Sequence, residues 1–205
     1  MKFYYAPNTC AVASHIALEE AGASYETQRL DFSKSEQRSD DYLRVNPKGR
    51  VPALVTEQGI ITETPAILTY VAQTYPASRL APLDDNYAFA KMQEFNAYLC
   101  ATVHVAHAHR LRGVRWCDDP GVIEALKLKV PLNMAECFHL IETELFQGPW
   151  VLGEQYSVSD MYLFTVSQWL EGDSVAIADF PRVAEMAQRM LTKAAVQTVL
   201  AANTN

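Results

Sequence analysis

The sequence predicts two parts, a small α/β domain over residues 1–77 and an all-helical domain over residues 84–205. Three observations carry that reading. Short alternating and β-branched runs stop at residue 62. Residues 46–67 read as a turn, a hairpin and a helix start. Beyond residue 80 only long apolar series at three- and four-residue spacing remain, which is the pattern of packed helices.

Residues 2–5 form a short aromatic strand, and Ala6-Pro7-Asn8-Thr9 is a turn of the residues turns favour. Cys10 ends that turn. Val12, Ile16, Ala17 and Leu18 recur at helical spacing over residues 11–21, with Gly22 as the stop. Residues 25–30 alternate as a second strand, and residues 39–45 suit a short charged helix. Pro52 holds Val51 extended. Ala53-Leu54-Val55 and Ile60-Ile61-Thr62 are then two strands joined by Glu57-Gln58-Gly59. Glu63-Thr64 opens a helix with Ile67, Leu68 and Val71 on its apolar face. The first N–H groups of such a helix can bind a carboxylate.

Pro76, Pro82 and small residues make 76–83 a linker. After it, Met92, Phe95, Leu99 and Val103 define one helix face. Ile123, Leu126, Val130, Met134, Phe138, Ile141 and Leu145 define another, which Pro131 is expected to kink or to cost a hydrogen bond. Ser157-Val158-Ser159-Asp160 has the form of a capping box heading a third helix, and Phe180-Pro181 starts what reads as the last one.

A net charge of −7 argues against nucleic acid or an anionic membrane surface as partner. No stretch is apolar for about eighteen residues, and the first residues lack the pattern of a signal peptide, so a cytoplasmic protein is expected. The four cysteines, Cys10, Cys100, Cys117 and Cys137, are far apart with no CxxC pair, which fits reduced thiols.

Candidate chemistry centres on Cys10. A thiol at a helix N-terminus feels the positive end of the dipole, so its pKa is expected to fall; the alternative is a small buried side chain. Tyr5 is the rival donor in the same loop, while Tyr4, facing the other way along the strand, reads as packing. Cys100, His104 and His107 share a helix face, but the set lacks a fourth ligand, and no metal is expected. His109 lies on the same helix. Arg110, Arg112 and Arg115 form a local basic patch, read either as a seat for an anionic acceptor or as a solvated helix end.

Cys10 within KFYYAPNTCAVASHIAL, Val51-Pro52 before the third strand, and Glu63-Thr64 at a helix start together resemble the glutathione S-transferases, and within them the bacterial beta class. The resemblance spans nearly the whole chain. It implies a thioredoxin-like domain with a cis bond before Pro52, followed by an all-helical domain, and a homodimer. It also implies glutathione as co-substrate, with Cys10 facing its sulfur and the Val51 backbone pairing with it. Glu63 would meet the γ-glutamyl ammonium and Thr64 its carboxylate, and Lys48, or less directly Lys34, the glycyl carboxylate. His104 matches a histidine near the thiol, although the lysine expected after it is Val105 here. Ala13 removes the second cysteine of a dithiol pair. The implied activity is conjugation of the glutathione thiolate to small, mostly apolar electrophiles. Glutathione-dependent thiol-disulfide exchange or reductive cleavage through Cys10, and a non-enzymatic binding protein, are the alternatives.

Overall fold

A computed structural model describes residues 1–203. Four strands, β1 (Lys2–Tyr5), β2 (Glu26–Arg29), β3 (Ala53–Thr56) and β4 (Gly59–Thr62), form one sheet in the order β2-β1-β3-β4. The β1–β2 pair is parallel and so needs a crossover, which α1 (Ala11–Glu20) supplies; β3 runs antiparallel to β1, and β4 returns beside it through the expected hairpin. Phe3 and Tyr5 face the main core and Tyr4 packs against Tyr42 on the opposite face, at 5.4 Å between ring centroids. Ser39 caps α2 (Asp40–Val45) by accepting from the Tyr42 N–H at 3.3 Å. The Val51-Pro52 bond is cis, as the resemblance implies, and Gly148-Pro149 is a second cis bond that nothing in the sequence pointed to.

The linker is more structured than its composition suggests. It contains a single 3₁₀ turn (Pro76–Ser78), Leu80 and Ala81 are buried, and the Leu80 carbonyl accepts from the Val158 N–H at 2.9 Å. One hydrophobic core therefore runs through both halves.

The helical half comprises α4 (Asn86–Tyr98), α5 (His104–Arg112), α6 (Pro120–Leu140), α7 (Val158–Ser167), α8 (Pro181–Leu191) and α9 (Ala194–Ala202). The first long apolar face is not one α-helix: a π turn (Leu99–Val103) joins α4 to α5, and another (Ile141–Leu145) ends α6. Three sequence expectations can be set against this half. Pro131 lies inside the 21 residues of α6 without ending it, at the cost of the hydrogen bond its missing N–H would have made. Phe180-Pro181 does open a helix, but α9 follows it. The Ser157–Asp160 capping box forms as expected and heads α7, all of whose residues are buried. This helix packs against α1, α4 and α8 and so ties the two halves together.

His15 on α1 is a buried group with a measurable consequence. It is 3% exposed among the rings of Phe3, Tyr5 and Tyr25, and burial lowers its pKa to about 4. Its folded pKa lies below the unfolded value, so its contribution is complete above pH ~6.5 and disappears as pH falls towards 4. Urea unfolding at both ends of that window should show the wild type losing about 3 kcal/mol more than His15→Phe. Parallel stability curves for the two proteins would remove His15 from the account.

Candidate functional site

The site is a cavity of about 1310 Å³ between the sheet domain and α5, with Cys10 and Pro52 on its floor. Cys10 occupies the N-cap of α1, as the turn before it dictates, and its Sγ donates to the Val51 carbonyl at 3.6 Å. The expectation that its pKa falls is overturned. The thiol is 9% exposed, and burial raises the pKa to about 11; a hydrogen bond from Thr64 opposes this without reversing it. The helix dipole helps a thiolate only where solvent or donors stabilise it, and here the apolar surroundings dominate.

Next to it, α3 (Thr64–Thr74) starts where the sequence placed it. Thr64 is buried, and its Oγ1 donates to the Cys10 carbonyl at 3.5 Å. Pro65 follows, where a missing N–H costs the helix nothing. Glu63 is the N-cap residue and stands at φ 75°, a conformation that L-residues rarely adopt. Its carboxylate bonds the Lys48 ammonium, which also donates to Thr62 Oγ1 at 2.7 Å. Lys48 and Glu63, expected at opposite ends of one ligand, are thus paired with each other. Lys34 pairs with Asp31 at 3.3 Å on the surface.

Tyr5 is not brought to Cys10. Its hydroxyl donates to the Ala202 carbonyl at 3.2 Å and its ring stacks on Phe3, because position 5 lies on the core face of β1. A hydroxyl the sequence reading missed, that of Tyr162 on α7, is buried near the Cys10 and Cys100 thiols and lines the cavity instead. The apolar spacing of α7 gave no sign of it.

On the opposite wall, His104 lies 5.0 Å from the Trp169 ring, and His107 stacks on the same ring at 4.4 Å. Burial, followed by His107 and three arginines, lowers the His104 pKa to about 4. With its pKa lowered that far, His104 is a neutral hydrogen-bonding group at pH 7. His107 Nδ1 lies 2.6 Å from the buried Asp173 carboxylate, and Arg110 engages the same carboxylate at 3.2 Å and the Gly172 carbonyl. Arg110 therefore leaves the proposed basic patch. His109 packs on Trp116 at 4.3 Å. Among the described residues, no three potential metal ligands converge.

Besides Arg110, the arginines that line the cavity come from both halves. Arg112 and Arg115 stand at and beyond the end of α5, and Arg38 and Arg50 lie across from them. Arg38 rests against Gly49, where an added Cβ would sit 2.7 Å from its Nη1 and where φ is +60°. The Arg50 carbonyl accepts from Tyr42 Oη and Asn46 Nδ2, both at 2.6 Å, which holds the backbone entering Val51-Pro52. Arg38 and Arg50 escaped notice because nothing in their local sequence connects them with residues 112 and 115.

Residues 1–73 match the family model for the N-terminal domain of glutathione S-transferases. The chain is 30% identical over 204 residues to the glutathione S-transferase GstA of Escherichia coli O157:H7, covering 98% of each. Among solved structures, a glutathione transferase homologue from Sulfitobacter with bound glutathione superimposes with a TM-score of 0.96 at 43% identity, covering 100% of this chain and 98% of that one. A bacterial beta-class glutathione S-transferase from Sphingomonas chungbukensis gives a TM-score of 0.85 at 28% identity, covering 99% and 98%.

Proposed function

Because this chain belongs to the glutathione S-transferase family, we propose that it is an enzyme conjugating the glutathione thiolate to small electrophiles in the cavity above Cys10. The observation that carries the reading is the convergence of the Cys10 thiol, the Val51 backbone, Glu63 and the buried Thr64 hydroxyl at one end of that cavity. Glutathione laid along Val51 would present its γ-glutamyl group to Glu63 and Thr64 and the free N–H groups of α3, where its carboxylate meets the positive helix end. Lys48 is tied to Glu63 and so acts on the ligand through that carboxylate. The glycyl carboxylate then falls to Arg38 and Arg50 rather than to Lys48 directly.

Cys10 contributes as a neutral thiol. Its S–H can turn from the Val51 carbonyl to the glutathione sulfur and stabilise the thiolate there, while the Val51 carbonyl turns to the ligand backbone. The electrophilic carbon is attacked by that sulfur, and its leaving group departs or its double bond takes the electron pair. His104, neutral beside Trp169, is positioned to accept or donate one hydrogen bond to the acceptor. Tyr5 has no part in this reading. The raised pKa of Cys10 also counts against it as the covalent nucleophile of an exchange reaction, which requires a thiolate.

The chain is further expected to form a homodimer in the cytoplasm, which light scattering of the purified protein would test. Among the described residues, no helix is long and apolar enough to cross a membrane.

Calorimetric titration with reduced glutathione, followed by turnover of a chlorodinitrobenzene, tests the activity. The wild type should bind and conjugate. Cys10→Ala should still bind and lose about tenfold in rate, the effect of one weak donor to a charged sulfur. Complete loss of turnover together with a glutathione adduct on wild-type Cys10 would favour exchange, and no binding at all would sink the transferase reading.

A further inference from the structure

We propose that Arg112 and Arg115 form an anion-binding wall of the cavity, so that the preferred acceptor electrophiles carry a carboxylate beside their reactive carbon skeleton. The proposal rests on the conjugation reading and deepens it. The resemblance alone implies mostly apolar acceptors, whereas the cavity wall is cationic.

Besides Arg110, which the Asp173 carboxylate holds, four guanidiniums line this cavity: Arg38, Arg50, Arg112 and Arg115. None has a carboxylate within ion-pair distance among the described residues, in a protein whose net charge is −7. The one acidic side chain of the lining, Glu63, is already bound by Lys48. The guanidiniums are close enough to oppose one another. Burial first, and then Arg112, Arg50 and Arg38, pull the Arg115 pKa down to about 10. The same field helps to keep His104 uncharged. Like charges gathered without counter-ions in a cleft are the electrostatic signature of a site that receives an anion.

Glutathione does not account for all four. It brings two carboxylates: the start of α3 takes one, and Arg38 and Arg50 beside Val51 are placed for the other. Arg112 and Arg115 belong to the helical half, on the wall where the acceptor lies. Their neighbours Leu111, Val114 and Trp116 are exposed apolar groups of the same lining. A planar electrophile can rest its ring there while its carboxylate meets the guanidiniums in a bidentate pair.

The test is a matched pair of acceptors, a chlorodinitrobenzene and the corresponding chlorodinitrobenzoate. In both, the glutathione sulfur forms a bond to the ring carbon, the electron pair enters the nitro-substituted ring, and chloride leaves with it. The wild type should favour the benzoate by kcat/KM relative to the uncatalysed rates. In the Arg112→Gln/Arg115→Gln protein that preference should fall by about tenfold or more, the worth of one charge-assisted contact, with the neutral acceptor and the glutathione Kd unchanged. An equal fall for both acceptors, or no fall, would overturn the proposal. Calorimetry with the benzoate alone gives a readout independent of turnover. Equal affinity in the wild type and the double variant overturns the anion wall even if glutathione proves not to bind, whereas loss of glutathione binding alone strikes only the conjugation reading.

Discussion

A protein carrying Glu63→Gly should unfold at or slightly above the wild-type temperature and yet bind glutathione about a hundredfold more weakly. Glu63 stands at φ 75° and ψ 128°, outside the regions open to side chains, and holding it there costs about 1–3 kcal/mol. Glycine removes that cost and adds back somewhat less in backbone entropy. The net gain of about 1 kcal/mol corresponds to roughly 2–4 °C for a chain of this size. Little is lost with the Lys48 ion pair, since both partners are about half exposed. The carboxylate proposed to meet the ligand's ammonium is gone, however, and a charged contact of that kind is worth about 1.5–3 kcal/mol. Adding Thr64→Val should extend the loss to about a thousandfold, because the hydroxyl proposed to face the ligand's carboxylate goes as well. Calorimetry and a thermal melt on the same samples decide the matter. A lower melting temperature with undiminished affinity would mean that Glu63 is held in place by the fold for the fold's own sake.

Asp160→Ala should have the opposite profile, costing about 3–4 kcal/mol of stability. The Asp160 carboxylate is fully buried and accepts from the Val151 N–H at 2.7 Å, the Ser157 N–H at 2.7 Å and the Ser157 hydroxyl at 3.2 Å. Alanine leaves two buried N–H groups without acceptors, at about 1–3 kcal/mol each, and removes half of the capping box of α7. That helix is buried along its whole length and contacts both halves of the molecule, so the damage should appear as a single earlier transition. A urea midpoint that moves by less than the equivalent of about 1 kcal/mol would show that water or a shifted backbone replaces the carboxylate.

What was legible in the sequence is what is encoded locally. The hairpin of β3 and β4 announced itself through Val51-Pro52 and Gly59, and the start of α3 through Glu63-Thr64, because turn chemistry and helix capping act over a few residues. Cys10 was placed correctly for the same reason. Its ionisation was not, since burial is set by Thr64, Val51 and the helical half together, none adjacent in the chain. Likewise His107 and Asp173 are 66 residues apart, and the convergence of Arg38 and Arg50 on Arg112 and Arg115 exists only after the halves pack. The π turns at 99–103 and 141–145 escape a periodicity reading because one extra residue in a turn barely disturbs an apolar stripe. Tyr5 was misplaced by sequence proximity: it is near Cys10 in the chain, but its hydroxyl is turned to the Ala202 carbonyl.

The buried thiol also bears on chemical durability. With a pKa of about 11, roughly one Cys10 in ten thousand is ionised at pH 7. Peroxides and alkylating agents react with the ionised form, so the resting protein presents them with almost nothing to attack. An enzyme that gathers electrophiles for a living must outlast them. On the proposed reading Cys10 does so by leaving the exposed sulfur to a disposable tripeptide, which is consumed at each turnover while the protein's own thiol survives to receive the next.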